Sequence, residues 1–310
     1  MKTDILCSVI ILTYKQLKWL PETLKSITKQ DYDNIEIIIA DDGTPGFNYN
    51  EVRELCEKYC KERGFKYCIA PSEENLGTVK NFNKGINSAT GSIIIPMAGD
   101  NQFFSKSVVS CIVHSFEKEN WLIATGLQVL CENEKIKEVR PYENEIAMIK
   151  KKATHKLAIR LAMYPCFIGG AATVYTRELF AKYGLFDERY KLLEDSPYYV
   201  SLLLENVKIQ FINEILIKHN IDSTSGVRSK ILADDDIRLI DDLLNGKTYL
   251  SLAEKRMLQY RKLLLKEELG ERQKYNRYFD CIIKQIWYKV WLKIFRKLQK
   301  AKYSNLISKQ

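Results

Sequence analysis

Three short runs of this chain, residues 7–12, 35–40 and 92–97, are apolar at nearly every position. A strand with one wetted face alternates apolar and polar side chains. A run that is apolar on both faces belongs inside a sheet covered on both sides, which is the situation of parallel sheets in α/β folds. The intervening segments supply the covers. Residues 17–29 place Trp19, Leu20, Leu24 and Ile27 on one helical face, with Pro21 in the first turn, where its missing N–H is tolerated. Residues 51–63 and 78–88 predict further helices, and 65–69 a short strand. The order is strand–helix throughout, so the chain predicts an α/β fold with a mostly parallel central sheet and right-handed crossovers.

Beyond residue 100 the pattern continues with a helix at 105–117 and a strand at 121–130. Residues 131–165 lose clear periodicity. Order returns at Phe167 to Ala171, then a helix at 177–183, the turn from Gly184 to Asp187, and Leu192-Leu193-Glu194-Asp195 opening a helix through 205.

Composition bounds the class. With 310 residues and 46% hydrophobic content the chain can build a sizeable core. The net charge of +9 is uneven, because residues from 226 onward carry 20 Lys and Arg against 10 Asp and Glu. The body is neutral and the tail is basic. Uninterrupted apolar stretches stop short of a membrane span, and the first residues lead straight into a strand without a signal-peptide pattern, so an intracellular protein is expected. The eight cysteines lack zinc-type pairing and predict reduced core thiols.

Ligands of open α/β sheets sit in the crevice at the carboxyl ends of the strands. Asp100 follows the third apolar run and would open into that crevice, where a lone carboxylate can hold a metal-bound phosphate. Its alternative, capping the helix that begins near residue 105, is weakened because Asp100 lies too far upstream. A dinucleotide fold would need Gly-x-Gly-x-x-Gly after the first strand, and Leu12-Thr13-Tyr14-Lys15-Gln16 has no glycine.

Taken together, Ser8-Val9-Ile10-Ile11-Leu12-Thr13-Tyr14, Asp41-Asp42-Gly43, Asn75-x-Gly77, Asn83-x-Gly85, Ala89-x-Gly91, the Asp100 loop and Glu194-Asp195 resemble the family 2 inverting glycosyltransferases of the GT-A fold. The resemblance covers about the first 225 residues. It implies a GT-A nucleotide-sugar-binding domain over 1–225, followed by a basic helical region over 226–310. It further implies a nucleotide-diphosphate sugar donor, UDP-sugar favoured, bound by Thr13, Tyr14, Asp42, Asn75, Gly77, Asn83 and Asp100. Mg²⁺ or Mn²⁺ would be held by Asp100, with His219 as a further candidate. Asp195 would be the base, Glu194 a structural or acceptor-contacting residue, and Gly169 and Gly170 would let the acceptor approach the backbone.

The bland readings are a turn at Asp41-Asp42-Gly43, a helix cap at Asp195 and a sharp turn at Gly169-Gly170. A helix N-terminus would keep Asp195 ionised. Departures from the family pattern fall at Ala98 and Asn101, which stand where acids are common. Phe82 stands where Arg is common, with Lys80 or Lys84 as replacements for its charge, and Asn220 where His is expected before Ser223-Thr224-Ser225.

The tail lies outside the resemblance. Phe279, Ile282, Ile283, Ile286, Val290, Ile294 and Leu298 form a helical stripe flanked by Trp287, Trp291 and Phe295, with lysines on the remainder. This pattern is that of an interfacial helix on an anionic membrane; the alternative is a helix packed on its neighbours or on a second copy in a homodimer. With a membrane, the acceptor becomes a lipid-linked saccharide at the cytoplasmic face, in surface polysaccharide synthesis of the capsule, O-antigen or lipopolysaccharide kind. No nucleic-acid module is present. The rival reading is a catalytically inactive saccharide- or nucleotide-sugar-binding scaffold.

Overall fold

The computed structural model describes residues 4–132, 135–151, 153–220, 230–271 and 274–308. The first part of the chain runs β1 (Cys7–Thr13), α1 (Leu20–Thr28), β2 (Ile35–Asp41), α2 (Tyr49–Cys60), β3 (Lys66–Pro71), α3 (Thr78–Ser88) and β4 (Ile93–Ala98). The two-residue β5 (Gln102–Phe103), α4 (Val108–Glu119), β6 (Ile123–Glu132) and β7 (Lys135–Arg140) follow. Then come α5 (Glu143–Lys150), α6 (Thr154–Met163), β8 (Thr173–Thr176), α7 (Arg177–Tyr183), α8 (Asp195–Leu204) and β9 (Gln210–Asn220). The tail contributes α9 (Lys230–Asn245), α10 (Leu252–Glu268), α11 (Phe279–Lys302) and α12 (Ser304–Ser308).

The sheet order is β3-β2-β1-β4-β8-β6-β9-β5, with β7 added on β6. β3, β2, β1 and β4 are all parallel, as the apolar runs predict. The other half is mixed. β8 runs antiparallel to both β4 and β6, β9 runs parallel to β6, and β5 closes antiparallel on β9.

Alternation along the strands explains the two-sided burial. Val9, Ile11, Ile37, Ile39 and Ile95 face Leu24 and Ile27 of α1 and Ile112 of α4, whereas Ile10, Ile38 and Ile94 face Val79, Phe82 and Ile86 of α3. Each such side chain contributes roughly 1.5–3 kcal/mol of burial. Glu36, the acid inside the second run, accepts from Ser8 Oγ at 2.6 Å and Gly91 N at 2.9 Å.

Residues 131–165 hold the end of β6, the strand β7 and two helices. β7 alternates between buried and exposed positions over only six residues, too short a stretch to stand out. Of the cysteines, all are free thiols, and Cys68 is exposed rather than core.

The 225/226 division and Ser223-Thr224-Ser225 lie outside the described residues. The tail helices that follow are fastened to the body. Asp235 of α9 accepts the backbone amides of Lys191 at 3.0 Å, Leu192 at 2.7 Å and Leu193 at 3.0 Å. Arg261 of α10 reaches the Ala162 carbonyl at 2.7 Å and pairs with Asp236 at 3.0 Å.

The loop braced by Asp235 also presses on the start of α3. Gly77 has φ +89°, and a Cβ there would sit 2.6 Å from both Cγ and the carbonyl oxygen of Lys191. Gly77→Ala is therefore expected to cost roughly 3 kcal/mol, combining left-handed strain with backbone overlap. Urea unfolding would read this as a lowered midpoint with an unchanged slope. A change below about 0.5 kcal/mol would mean that the two loops separate freely.

Candidate functional site

A cavity of about 270 Å³ opens at the carboxyl ends of β1 and β4, where this class of sheet binds ligands. β1 and the turn after it contribute Thr13, Tyr14 and Gln16; β4 and its following loop contribute Asp100 and Asn101. Asp42 follows β2, Thr78, Asn81 and Phe82 come from α3, Gly170 precedes β8, Glu194 precedes α8, and His219 ends β9.

Residues far apart in sequence meet on one wall. β5 pairs with β9 through Gln102 opposite Lys218, which brings His219 Nδ1 to 2.9 Å from Asn101 Oδ1. With that oxygen accepting, Nδ1 carries the proton and Nε2 presents its lone pair. Burial holds the His219 pKa below its ordinary value, against the nearby Asp100 charge that raises it. Asp100 is buried and receives the Gln16 side-chain amide at 3.4 Å.

Two carboxyl groups stand beside Gly170: Glu194, which lines the cavity, and Asp195, which is not among its lining residues. Asp195 is the first residue of α8 rather than its cap. Its Oδ1 accepts from Ser196 N at 2.5 Å and Ser196 Oγ at 3.2 Å. A Cβ on Gly170 would lie 3.2 Å from Glu194 Oε1 and 3.3 Å from Asp195 Oδ2, so glycine leaves room for both carboxyls against this stretch of backbone. Burial, then the adjacent Asp195 charge, pushes the Glu194 carboxyl up to about 8. Burial also raises Asp195, with the Ser196 amide opposing it. The helix N-terminus does not dominate here: desolvation outweighs it, contrary to the expectation of a readily ionised group.

The remaining expected residues divide. Asp41 closes the turn through Thr44 N at 2.7 Å. Asp42 accepts Leu76 N at 2.8 Å, Gly77 N at 3.1 Å and the Asn75 side-chain amide at 2.9 Å, and burial raises its pKa against the Leu76 and Gly77 amides. Asn75 and Gly77 thus stand behind Asp42 and outside the cavity lining. Asn83 spends its amide on Phe186 O at 2.9 Å and Phe186 N at 3.1 Å, tying α3 to the 186 turn. Lys84 donates to Asp41 O at 2.9 Å and Ser72 Oγ at 2.5 Å, and Lys80 is exposed; neither lines the cavity. Gly169 sits just behind Gly170, against the Gln128 side chain.

Sequence reading missed Gln16, Thr78, Asn81, Phe82 and Asn101. Asn81 had a signal, since a polar residue stands in the i, i+3, i+4 stripe formed by Thr78, Asn81 and Phe82. Three buried polar atoms belonging to cavity-lining residues, Thr13 Oγ1, Asn81 Oδ1 and Asn101 Nδ2, have no hydrogen-bond partner among the described residues. Such groups are uncommon in folded interiors and mark a place where a polar ligand or water completes the structure.

No group of three His, Cys, Asp or Glu fit to hold a metal occurs among the described residues. Asp100 with the His219 Nε2 lone pair is nonetheless an acceptable oxygen and nitrogen pair for a divalent ion whose other ligands come from a phosphate.

The glycosyl transferase family 2 model matches residues 8–184. Over 237 residues the chain is 25% identical to the uncharacterized glycosyltransferase EpsJ of Bacillus subtilis, covering 75% of this chain and 67% of that protein. The match thus spans about two thirds of that relative's own length. Among solved structures, S. aureus TarS 1-349 in complex with UDP-GlcNAc superposes with TM-score 0.59 at 17% identity, covering 84% of this chain and 72% of TarS 1-349. The mannosyltransferase PcManGT of Pyrobaculum calidifontis, in complex with GDP-Man and Mn²⁺, gives TM-score 0.59 at 14% identity, covering 99% of this chain and 89% of its own. The likenesses carry the fold, a GT-A-like α/β fold with a mixed sheet flanked by helices and a helical C-terminal region.

Proposed function

This chain belongs to glycosyl transferase family 2, and we propose that it moves a sugar, with inversion, from a UDP-sugar to a saccharide acceptor. The acceptor is lipid-linked, the product is part of a cell-surface polysaccharide, and the enzyme works as a peripheral protein on the inner face of the membrane. One observation carries the catalytic reading: a single cavity at the strand ends is lined by Asp100, Asn101 and His219 together with Gly170 and Glu194, and Asp195 lies beside Gly170.

The donor's base and ribose lie against Thr13, Tyr14 and Asp42. Asn75 and Gly77 act through Asp42 by fixing its carboxylate, and Asn83 acts by anchoring α3. The diphosphate sits by Asp100. Among the lining residues Asp42 and Asp100 are acidic and none is Lys or Arg, so a diphosphate needs an added positive charge there. Mg²⁺ or Mn²⁺, held by Asp100 and His219, would supply it and stabilise the leaving group.

Transfer is one in-line displacement. The acceptor hydroxyl attacks the anomeric carbon, its proton passes to the Asp195 carboxylate, and the bond from that carbon to the diphosphate oxygen breaks with the electron pair leaving on UDP. Ser196 holds Asp195 Oδ1, which orients the other oxygen toward Gly170. Glu194 contacts the acceptor beside it, and Gly169 and Gly170 allow the sugar close to the backbone.

Calorimetry with UDP, GDP and dTDP, each with and without Mn²⁺, tests this reading. UDP is expected to bind at least about tenfold tighter than the others, a difference of about 1.4 kcal/mol. Absence of binding by all three would move the assignment to the inactive scaffold.

A further inference from the structure

We propose that α11 docks this protein onto an anionic bilayer, lying in the membrane plane with the face opposite its protein contacts inserted. The helix has two separate sides. Its inner side meets the body: Tyr288 packs on Tyr164 with ring centroids 4.4 Å apart, Cys281 is buried, Gln299 Nε2 donates to Pro141 O at 3.0 Å, and Arg296 pairs with Glu138 at 3.2 Å. The apolar stripe is on the other side. Phe279, Ile283, Ile286, Val290, Ile294 and Leu298 are exposed, with Trp287 60% and Trp291 51% accessible. Ile282 of the stripe packs toward the body, but the rest of the apolar face is left uncovered, which an ordinary bundle helix would not do.

Charge selects the occupant. α11 carries seven Lys and Arg against the single acid Asp280, and Asp280 is already paired with Arg256 at 2.7 Å. Lys289, Lys293, Lys297 and Lys300 are exposed and make no ion pair among the described residues. A second copy laid face to face would set these cations against each other, whereas anionic headgroups complement them at about 1 kcal/mol per cation. The tryptophans flank the stripe, as interfacial aromatics do. No helix among the described residues is long and apolar enough to cross a membrane, so the insertion is parallel to the surface.

Docking there also touches the acceptor side. Tyr288 lies against Arg160, whose guanidinium carbon is 4.6 Å from its ring centre and 5.4 Å from that of Phe167. Phe167 is three residues before Gly170, so the bilayer-facing helix is continuous with the segment that forms the acceptor wall.

This inference rests for its biological sense on the peripheral-enzyme reading above, but vesicle binding and UDP binding are measured separately and either can fail alone. The full chain is to be sedimented with phosphatidylcholine vesicles with and without phosphatidylglycerol. Capture is expected only with phosphatidylglycerol, falling as salt rises. Ile286→Glu with Val290→Glu, at positions already 56% and 42% exposed, is expected to weaken capture at least about tenfold while UDP binding and the melting temperature stay unchanged. Three results overturn the proposal: no capture of the wild type, capture indifferent to the variant, or a solution dimer that the variant splits, which would assign the face to a second copy.

Discussion

Asp195→Asn is expected to cut sugar transfer by about a thousandfold while leaving UDP binding within about twofold, because a positioned base is worth 10²–10⁴ in rate and little in donor affinity. The substitution keeps size and shape and removes only the ability to take a proton. Glu194→Gln should act more mildly, since the role we propose for it is acceptor contact. The pH profile gives a second readout. Burial raises both carboxyls, Glu194 to about 8, and the active form is the ionised one. Transfer should therefore rise with pH and be lost as pH falls through a range well above that of ordinary carboxylates. Removing the neighbouring charge with Glu194→Gln should move that inflection down. Retention of transfer within about tenfold in Asp195→Asn, with collapse in Glu194→Gln, would reassign the base to Glu194.

The second large effect is expected at Asp100. In wild type, Mn²⁺ should tighten UDP at least about tenfold, and in Asp100→Ala that gain should shrink to less than about twofold, with both proteins binding alike in chelator. His219→Ala should lose part of the gain, since Nε2 is the second ligand we propose and Asn101 orients the ring. The reason lies in the make-up of the cavity lining, which has Asp42 and Asp100 but no Lys or Arg, so an added cation is what offsets the charge of a diphosphate. UDP binding that ignores both Mn²⁺ and the substitution would remove Asp100 from the donor site.

The part of the fold most legible in sequence was the part buried on two faces. β1, β2 and β4 are apolar above and below, and their covering helices show the complementary stripe, so their order could be read directly. The β6–β7 hairpin could not, because β7 is short and half wetted, and β8, which turns the sheet antiparallel, is four residues long. Asp100 was visible from its place after a strand. His219 was placed only by resemblance, since what brings it to Asn101 is β5, a strand of two residues. Asn81 was passed over although its polar side chain interrupts an apolar stripe, and Asn101 was read only as a missing acid; their unsatisfied buried atoms are seen only in the structure. The apolar stripe of the last long helix was plain in sequence, but which side would face the protein was not.

The brace from Asp235 to the amides of residues 191–193 has a consequence for how this chain can be altered. The tail of this chain cannot be replaced without also releasing the loop that leads to Glu194 and Asp195 on one side and leans on Gly77 on the other. Swapping the end of this chain to redirect it to another surface would be felt at the carboxyls we propose as reacting groups, so the proposed docking and the proposed chemistry are mechanically tied.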